Sequence, residues 1–316
     1  MILMSSDLAA KSWADKLPTK VTRLVHGLAI ASLISQIGII VTGGAVRLTK
    51  SGLGCSQWPN CVPGSMTPVP EMGIHGLIEF GNRLLTFVLL VIAIAFLVSI
   101  WNMRKTHSTL YKLGLVLLIG IPGQGVIGGI TVLTGLNPWV VSLHFLLSAS
   151  LVALATILVN RTRRELKRDE APATTKAIAQ VGTLVLLLAS IAIIMGTIVT
   201  GTGPHAGDAD APRHLFDPRI VTPLHTGPVY LLILATIAFM VLAYRTSNNP
   251  KLRAAGWWMV VAILVQGAIG YIQHFNGLPV VLVLLHMLGA SMLMVAATNV
   301  WDRSSLMPKS ARIDQD

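Results

Sequence analysis

Eight long apolar stretches, at about 24–46, 76–101, 113–133, 139–160, 177–200, 221–244, 255–273 and 279–300, decide what this chain can become. Each is long enough to cross a bilayer as a helix, which takes roughly 20 residues. A helix satisfies its own backbone polar groups, which lipid cannot do. With 53% hydrophobic and 12% charged residues and a mean hydropathy of +0.70, the composition excludes a soluble enzyme, which would carry roughly 25% charged residues. The expected fold class is an all-α integral membrane protein with eight transmembrane helices. The first twenty residues are polar and mixed in charge, so no cleavable signal peptide is expected.

The net charge is +11, but its placement argues for topology rather than for nucleic acid. Nineteen of the 24 Lys and Arg fall on one side. They are Lys11, Lys16, Lys20 and Arg23; Arg104, Lys105 and Lys112; Arg161, Arg163, Arg164, Lys167, Arg168 and Lys176; Arg245, Lys251 and Arg253; and Arg303, Lys309 and Arg312. The other side holds Arg47, Lys50, Arg213 and Arg219, and Arg83 lies within a span. By the positive-inside rule both termini are expected in the cytoplasm, with the chain multi-pass in the plasma (inner) membrane. No nucleic-acid partner is expected.

The two halves repeat. Gln124-Gly125-Val126-Ile127-Gly128 matches Gln266-Gly267-Ala268-Ile269-Gly270, and twenty residues after each Gln comes His144 or His286. Gly135-Leu136 matches Gly277-Leu278. Four spans plus four, each half starting inside, predict two four-helix bundles related by a pseudo-two-fold axis along the membrane normal. The expected divisions are a cytoplasmic arm (1–23), an N-terminal bundle (24–160), a basic cytoplasmic linker (161–176), a C-terminal bundle (177–300) and a cytoplasmic tail (301–316).

His144, His225 and His286 lie inside apolar spans, where ionisable groups are costly and usually functional. All three spans enter from the outside, and each histidine sits four to seven residues below the boundary, so one layer near the outer face holds them all. Axial ligation of haem iron is the natural use. Zinc or copper would want carboxylates or thiolates nearby, and the sixth and eighth spans offer none. His225 and His286 would pair in the C-terminal half. His26, His107, His205, His214 and His274 lie near span ends or in loops and are expected at the surface; His205 and His214 flank Asp208 and Asp210, which would suit a loose metal site.

Aligning the second span on the sixth puts Asn82 opposite His225. That span carries His75, Glu79, Asn82 and Arg83 on one helical face. Glu79 and Arg83 stand at i, i+4, the spacing of an ion pair. Between the first two spans, Cys55 and Cys61 lie six apart in a compartment that permits disulfides, either bridged or as free thiols. Two cysteines are too few for a disulfide scaffold or a tetrathiolate site. Arg47 sits where outward-pointing haem propionates would lie, or serves as an interfacial anchor.

The run from Gly43 to Cys55, Gly43-Gly44-Ala45-Val46-Arg47-Leu48-Thr49-Lys50-Ser51-Gly52-Leu53-Gly54-Cys55, followed by Trp58-Pro59-Asn60-Cys61, resembles the first span and outer loop of haem A synthases. Ile78-Glu79-Phe80-Gly81-Asn82-Arg83 resembles their second span, and the similarity extends over about 24–300. The resemblance implies oxidation of the C8 methyl of haem O to a formyl group, for cytochrome oxidase assembly. It implies a haem b cofactor on His225 and His286, haem O as substrate in the N-terminal half, the family's fourth-span histidine at His144, its intramembrane glutamate at Glu79 and a Cys55–Cys61 disulfide. Many members carry a histidine where this chain has Asn82. Either His75 moves into that role or the substrate haem is five-coordinate through His144; the second is favoured. Glu79 is assigned to proton transfer or water positioning. Implied partners are haem O and the membrane enzyme that makes it, an electron acceptor the sequence does not identify, and the lipid bilayer, with a homo-oligomer left open. Two other classes compete. A b-type cytochrome exchanging electrons with quinone explains the histidines but not Glu79, and a haem carrier would lack redox activity.

Overall fold

The computed structural model describes residues 16–167 and 174–305; expectations for 1–15, 168–173 and 306–316 lie outside the described residues. The chain forms eight long helices: α1 (Arg23–Leu48), α2 (Gly73–Ser99), α3 (Ser108–Leu133), α4 (Pro138–Lys167), α5 (Lys176–Thr202), α6 (Pro218–Thr246), α7 (Pro250–Phe275) and α8 (Val280–Ser304). All eight are long and apolar enough to cross a membrane. Their starts follow from local sequence. Thr22 and Thr175 cap α1 and α5, Asp217 caps α6 ahead of Pro218, and Asn249 caps α7 ahead of Pro250. The largest departure from the expected boundaries is in α4, which runs seven residues into the linker and ends at Lys167. Arg164 and Lys167 fall in its last turn, where cations complement the helix dipole, and Arg164 also pairs with Asp302 of α8.

Helices α1 to α4 pack in a ring, each against the next and α4 back on α1; α5 to α8 do the same. The halves meet through α4 with α8, α1 with α8, and α4 with α5. The cores repeat as well. Phe96 packs on Gly114 in the first half and Phe239 on Gly256 in the second, where a side chain at either glycine would meet the ring at 2.9 or 3.2 Å. Both short α3–α4 and α7–α8 links turn through the same left-handed pair, Gly135-Leu136 (φ 59° and 61°) and Gly277-Leu278 (φ 72° and 60°). Leucine resists that conformation. Here each amide closes the turn, Leu136 on the Thr131 carbonyl at 2.7 Å and Leu278 on that of Gln273 at 2.8 Å.

Polar clasps hold the seam at both ends. At the end where α4 and α8 finish, Asn160 donates to Asn299 Oδ1 (2.7 Å) and to Asp302 Oδ2 (3.0 Å). At the opposite end Arg47 donates from Nε to the His205 carbonyl (2.6 Å) and from Nη2 to that of Thr200 (3.1 Å), and the Gly52 amide donates to the Gly207 carbonyl (3.0 Å). Between the clasps, Ile40, Ala149, Val152, Ile193 and Met294 form an apolar seam. Large apolar side chains such as Phe87, Val91, Leu234 and Leu264 face outward, as lipid contact requires.

Candidate functional site

His144 and His286 each sit six residues past the first residue of their helix, and His225 sits seven past its own. At 1.5 Å per residue this is one layer about 10 Å deep. Each imidazole rests against a glycine on the neighbouring helix. The position of an added Cβ lies 3.3 Å from His144 at Gly128, 3.2 Å from His225 at Gly196 and 3.4 Å from His286 at Gly270. An alanine at any of them would push the ring. Gln124 and Gln266 donate to the backbone carbonyls of His144 (3.3 Å) and His286 (3.2 Å), so the repeated Gln-Gly motif steadies the helix turn bearing the imidazole.

The ring nitrogens show what the layer can hold. His225 Nδ1 lies 2.9 Å from the Ala192 carbonyl. As donor there it leaves Nε2 with its lone pair, the state a metal ligand needs. The buried Nδ1 atoms of His144 and His286 have no partner. Among the described residues no group of three His, Cys, Asp or Glu is placed to hold a bare metal ion. Half-buried imidazoles backed by glycine, each with a ring nitrogen available, would suit ligation of haem iron.

The N-terminal half repeats the arrangement with one change. Gly43 on α1 faces Asn82 on α2, 3.8 Å from the Cβ position to Nδ2, as Gly196 on α5 faces His225 on α6. Thr42 Oγ1 donates to Asn82 Oδ1 at 2.7 Å. His75 is exposed, two residues into α2, and its Nδ1 is bonded to Ser51 Oγ at 2.8 Å.

Glu79 is 6% exposed, which makes its partners decisive. Its Oε2 accepts from the Cys55 amide (2.7 Å), and its Oε1 accepts from Arg83 Nε (3.1 Å) and Nη2 (2.5 Å). Arg83 continues into the outer loop, donating to the carbonyls of Asn60 (3.1 Å) and Gln57 (3.1 Å). The ion pair anticipated at i, i+4 is therefore present, and it anchors the loop. Cys55 and Cys61 close that loop as a disulfide and are fully buried, which sets aside the free-thiol alternative. Trp58 of the loop lies on Gly129 of α3 and leaves no room there for a side chain.

Two expectations for the outer histidines are corrected. His205 Nε2 lies 2.9 Å from the Leu278 carbonyl, tying two loops together rather than joining a metal site. His214 is buried, 6% exposed, because Trp139 packs edge-on to it at 4.3 Å and Phe216 covers its other side. The cover is thin, since both aromatics are themselves exposed. Burial, aided by nearby Arg47, lowers the His214 pKa. The structure brings Glu79, Arg83 and the disulfide loop together, and sets His225 and His286 at matching depth on α6 and α8. Arg47 is turned instead toward carbonyls of the C-terminal half. Nothing in the sequence gives Thr42, or the place of the glycines behind the imidazoles, a role. The recurrence of Gly128 and Gly270 was their one visible signal.

Comparison with known proteins adds a family. The profile of COX15-CtaA, described as cytochrome oxidase assembly protein, matches residues 26–298. A protein named Heme A synthase from Lysinibacillus sphaericus is 34% identical over 154 residues, 46% of this chain and 48% of that protein. Proteins of the same name from Bacillus licheniformis and Shewanella oneidensis are 26% identical over 84% of this chain and 90% of theirs, and 25% identical over 87% and 96%. The chain thus spans about half the length of the first of these relatives and most of the other two.

Proposed function

The chain belongs to the COX15-CtaA family of cytochrome oxidase assembly proteins, and on that premise we propose that it oxidises the C8 methyl of haem O to a formyl group, yielding haem A. One observation supports this reading above others: two halves with the same helix neighbours and the same glycine-backed ligand positions differ at one ligand, His225 in one and Asn82 in the other. A permanent cofactor is best gripped on both faces. A substrate that must enter, react and leave is better held on one.

In this reading His225 and His286 hold haem b, which when bound supplies one-electron redox chemistry. His144 holds the substrate haem, and Asn82, fixed by Thr42, lines the open side. Converting the methyl to a formyl takes one oxygen from water and releases four protons and four electrons, the electrons leaving to an external one-electron acceptor. Glu79 accepts those protons or positions the water, and its carboxylate oxygens keep acceptor capacity beyond their present bonds. Arg83 and the Cys55 amide fix the carboxylate, His75 lies at the outer mouth, and Arg47 braces the halves above it. The halves are related by a pseudo-two-fold axis. The protein lies in the plasma membrane with both termini inside and takes haem O from the enzyme that makes it.

Extraction of haem from the purified full chain tests this. Haem A or a hydroxylated intermediate beside haem b is the expected result, and Glu79→Gln keeps haem b and loses haem A. Haem b alone, held in both halves, would put an electron-transfer cytochrome in its place.

A further inference from the structure

A cavity of about 190 Å³ opens on the outer face at the seam between the halves, lined among others by Arg47, Lys50, His205, Asp208 and Arg213. Three of these are cations, and they come from the end of α1, the turn after it and the loop between α5 and α6. Among the described residues the ion pairs are Arg83–Glu79, His107–Glu165 and Arg164–Asp302, so none of the three has a carboxylate at ion-pair distance, Asp208 included. The half-buried Arg47 uses Nε and Nη2 on carbonyls and keeps Nη1 free. Arg213 spends one nitrogen on the Pro204 carbonyl at 3.0 Å.

Like charges gathered in a partly enclosed seam repel one another, and the half-buried Arg47 among them is incompletely solvated. An anion with several oxygens relieves both costs at once, and guanidinium is suited to it by its planar donor fork. We propose that this cavity is an oxyanion site that takes a single carboxylate or phosphate group. Its volume admits such a group and excludes a tetrapyrrole ring. The group has two sources of the right chemistry at this depth: a propionate of a haem seated below, or the headgroup of an anionic phospholipid in the outer leaflet. Because Arg47 already clasps α5, anion binding here also fastens the two halves together. The site does not depend on the reaction proposed above.

The test uses the full chain in detergent with inorganic phosphate as probe, against chloride at matched ionic strength. Phosphate should raise the unfolding midpoint of the wild type. Lys50→Ala with Arg213→Ala, both exposed side chains, should weaken phosphate binding at least tenfold, and Asp208→Asn should tighten it. No phosphate-specific rise in the wild type, or the same rise in the double variant, overturns the proposal. Two further arms separate the sources. A lipid source predicts that phosphatidylglycerol nanodiscs stabilise the wild type over phosphatidylcholine ones, and not the double variant. A propionate source predicts that haem dimethyl ester binds the wild type at least tenfold more weakly than haem, with no such difference in the variant. Failure of both arms also overturns it. Loss of haem A production leaves the phosphate result untouched, so the two readings fail separately.

Discussion

Replacing Glu79 by alanine removes the acceptor of three hydrogen bonds, from the Cys55 amide, Arg83 Nε and Arg83 Nη2. Removing one partner of a buried ion pair costs about 3–5 kcal/mol. Arg83 is 21% exposed on its side chain and keeps its bonds to the Asn60 and Gln57 carbonyls, so a value near the lower end, about 3 kcal/mol, is the appropriate one. That is about a hundredfold in the equilibrium between docked and opened loop, at 1.4 kcal/mol per tenfold. The assay is maleimide labelling of Cys55 and Cys61 under mild reductant, with both sulfurs fully buried at the start. Labelling should accelerate about a hundredfold in Glu79→Ala. Glu79→Gln, which keeps one carbonyl acceptor, should fall between that variant and the wild type. Unchanged labelling in Glu79→Ala would refute the claim that this carboxylate anchors the loop.

Two other outcomes follow from the same geometry. Asn82→His should give the N-terminal half a second imidazole facing Gly43, converting substrate-loaded protein from a high-spin to a low-spin haem spectrum. An unchanged spectrum would deny the equivalence of Asn82 and His225. His214 has a folded pKa below its unfolded value of about 6.5, so it contributes stability while neutral in both states and loses it as pH falls through that value. The unfolding midpoint should therefore drop between pH 7.5 and 5.5, and His214→Phe should flatten the drop; an equal drop in both would remove His214 as its cause.

Spans, repeat and histidine layer were legible because each rests on a local rule. Length and hydropathy decide a span, and a charge or imidazole inside one is conspicuous at any position. The end of α4 is not legible, because a run of Arg and Lys reads as a linker, although those residues form helix readily once their charges meet the dipole and Asp302. Sequence alone places His214 at the surface, because nothing local shows that Trp139, far away in sequence, will cover it. The dual engagement of Glu79 was half visible: the i, i+4 spacing gives Arg83, but the Cys55 amide arrives only through the fold of the outer loop. Arg47 carried the same difficulty, since its partners are carbonyls more than 150 residues on.

Central to the account is the proposal that His225 and His286 together clasp one haem iron while His144 serves another. Near-infrared magnetic circular dichroism of the ferric, substrate-free full chain tests this directly. The band of bis-imidazole low-spin haem should be present in the wild type and in His144→Ala, and absent from His225→Ala and from His286→Ala. Persistence of that band in either of the last two would contradict the account.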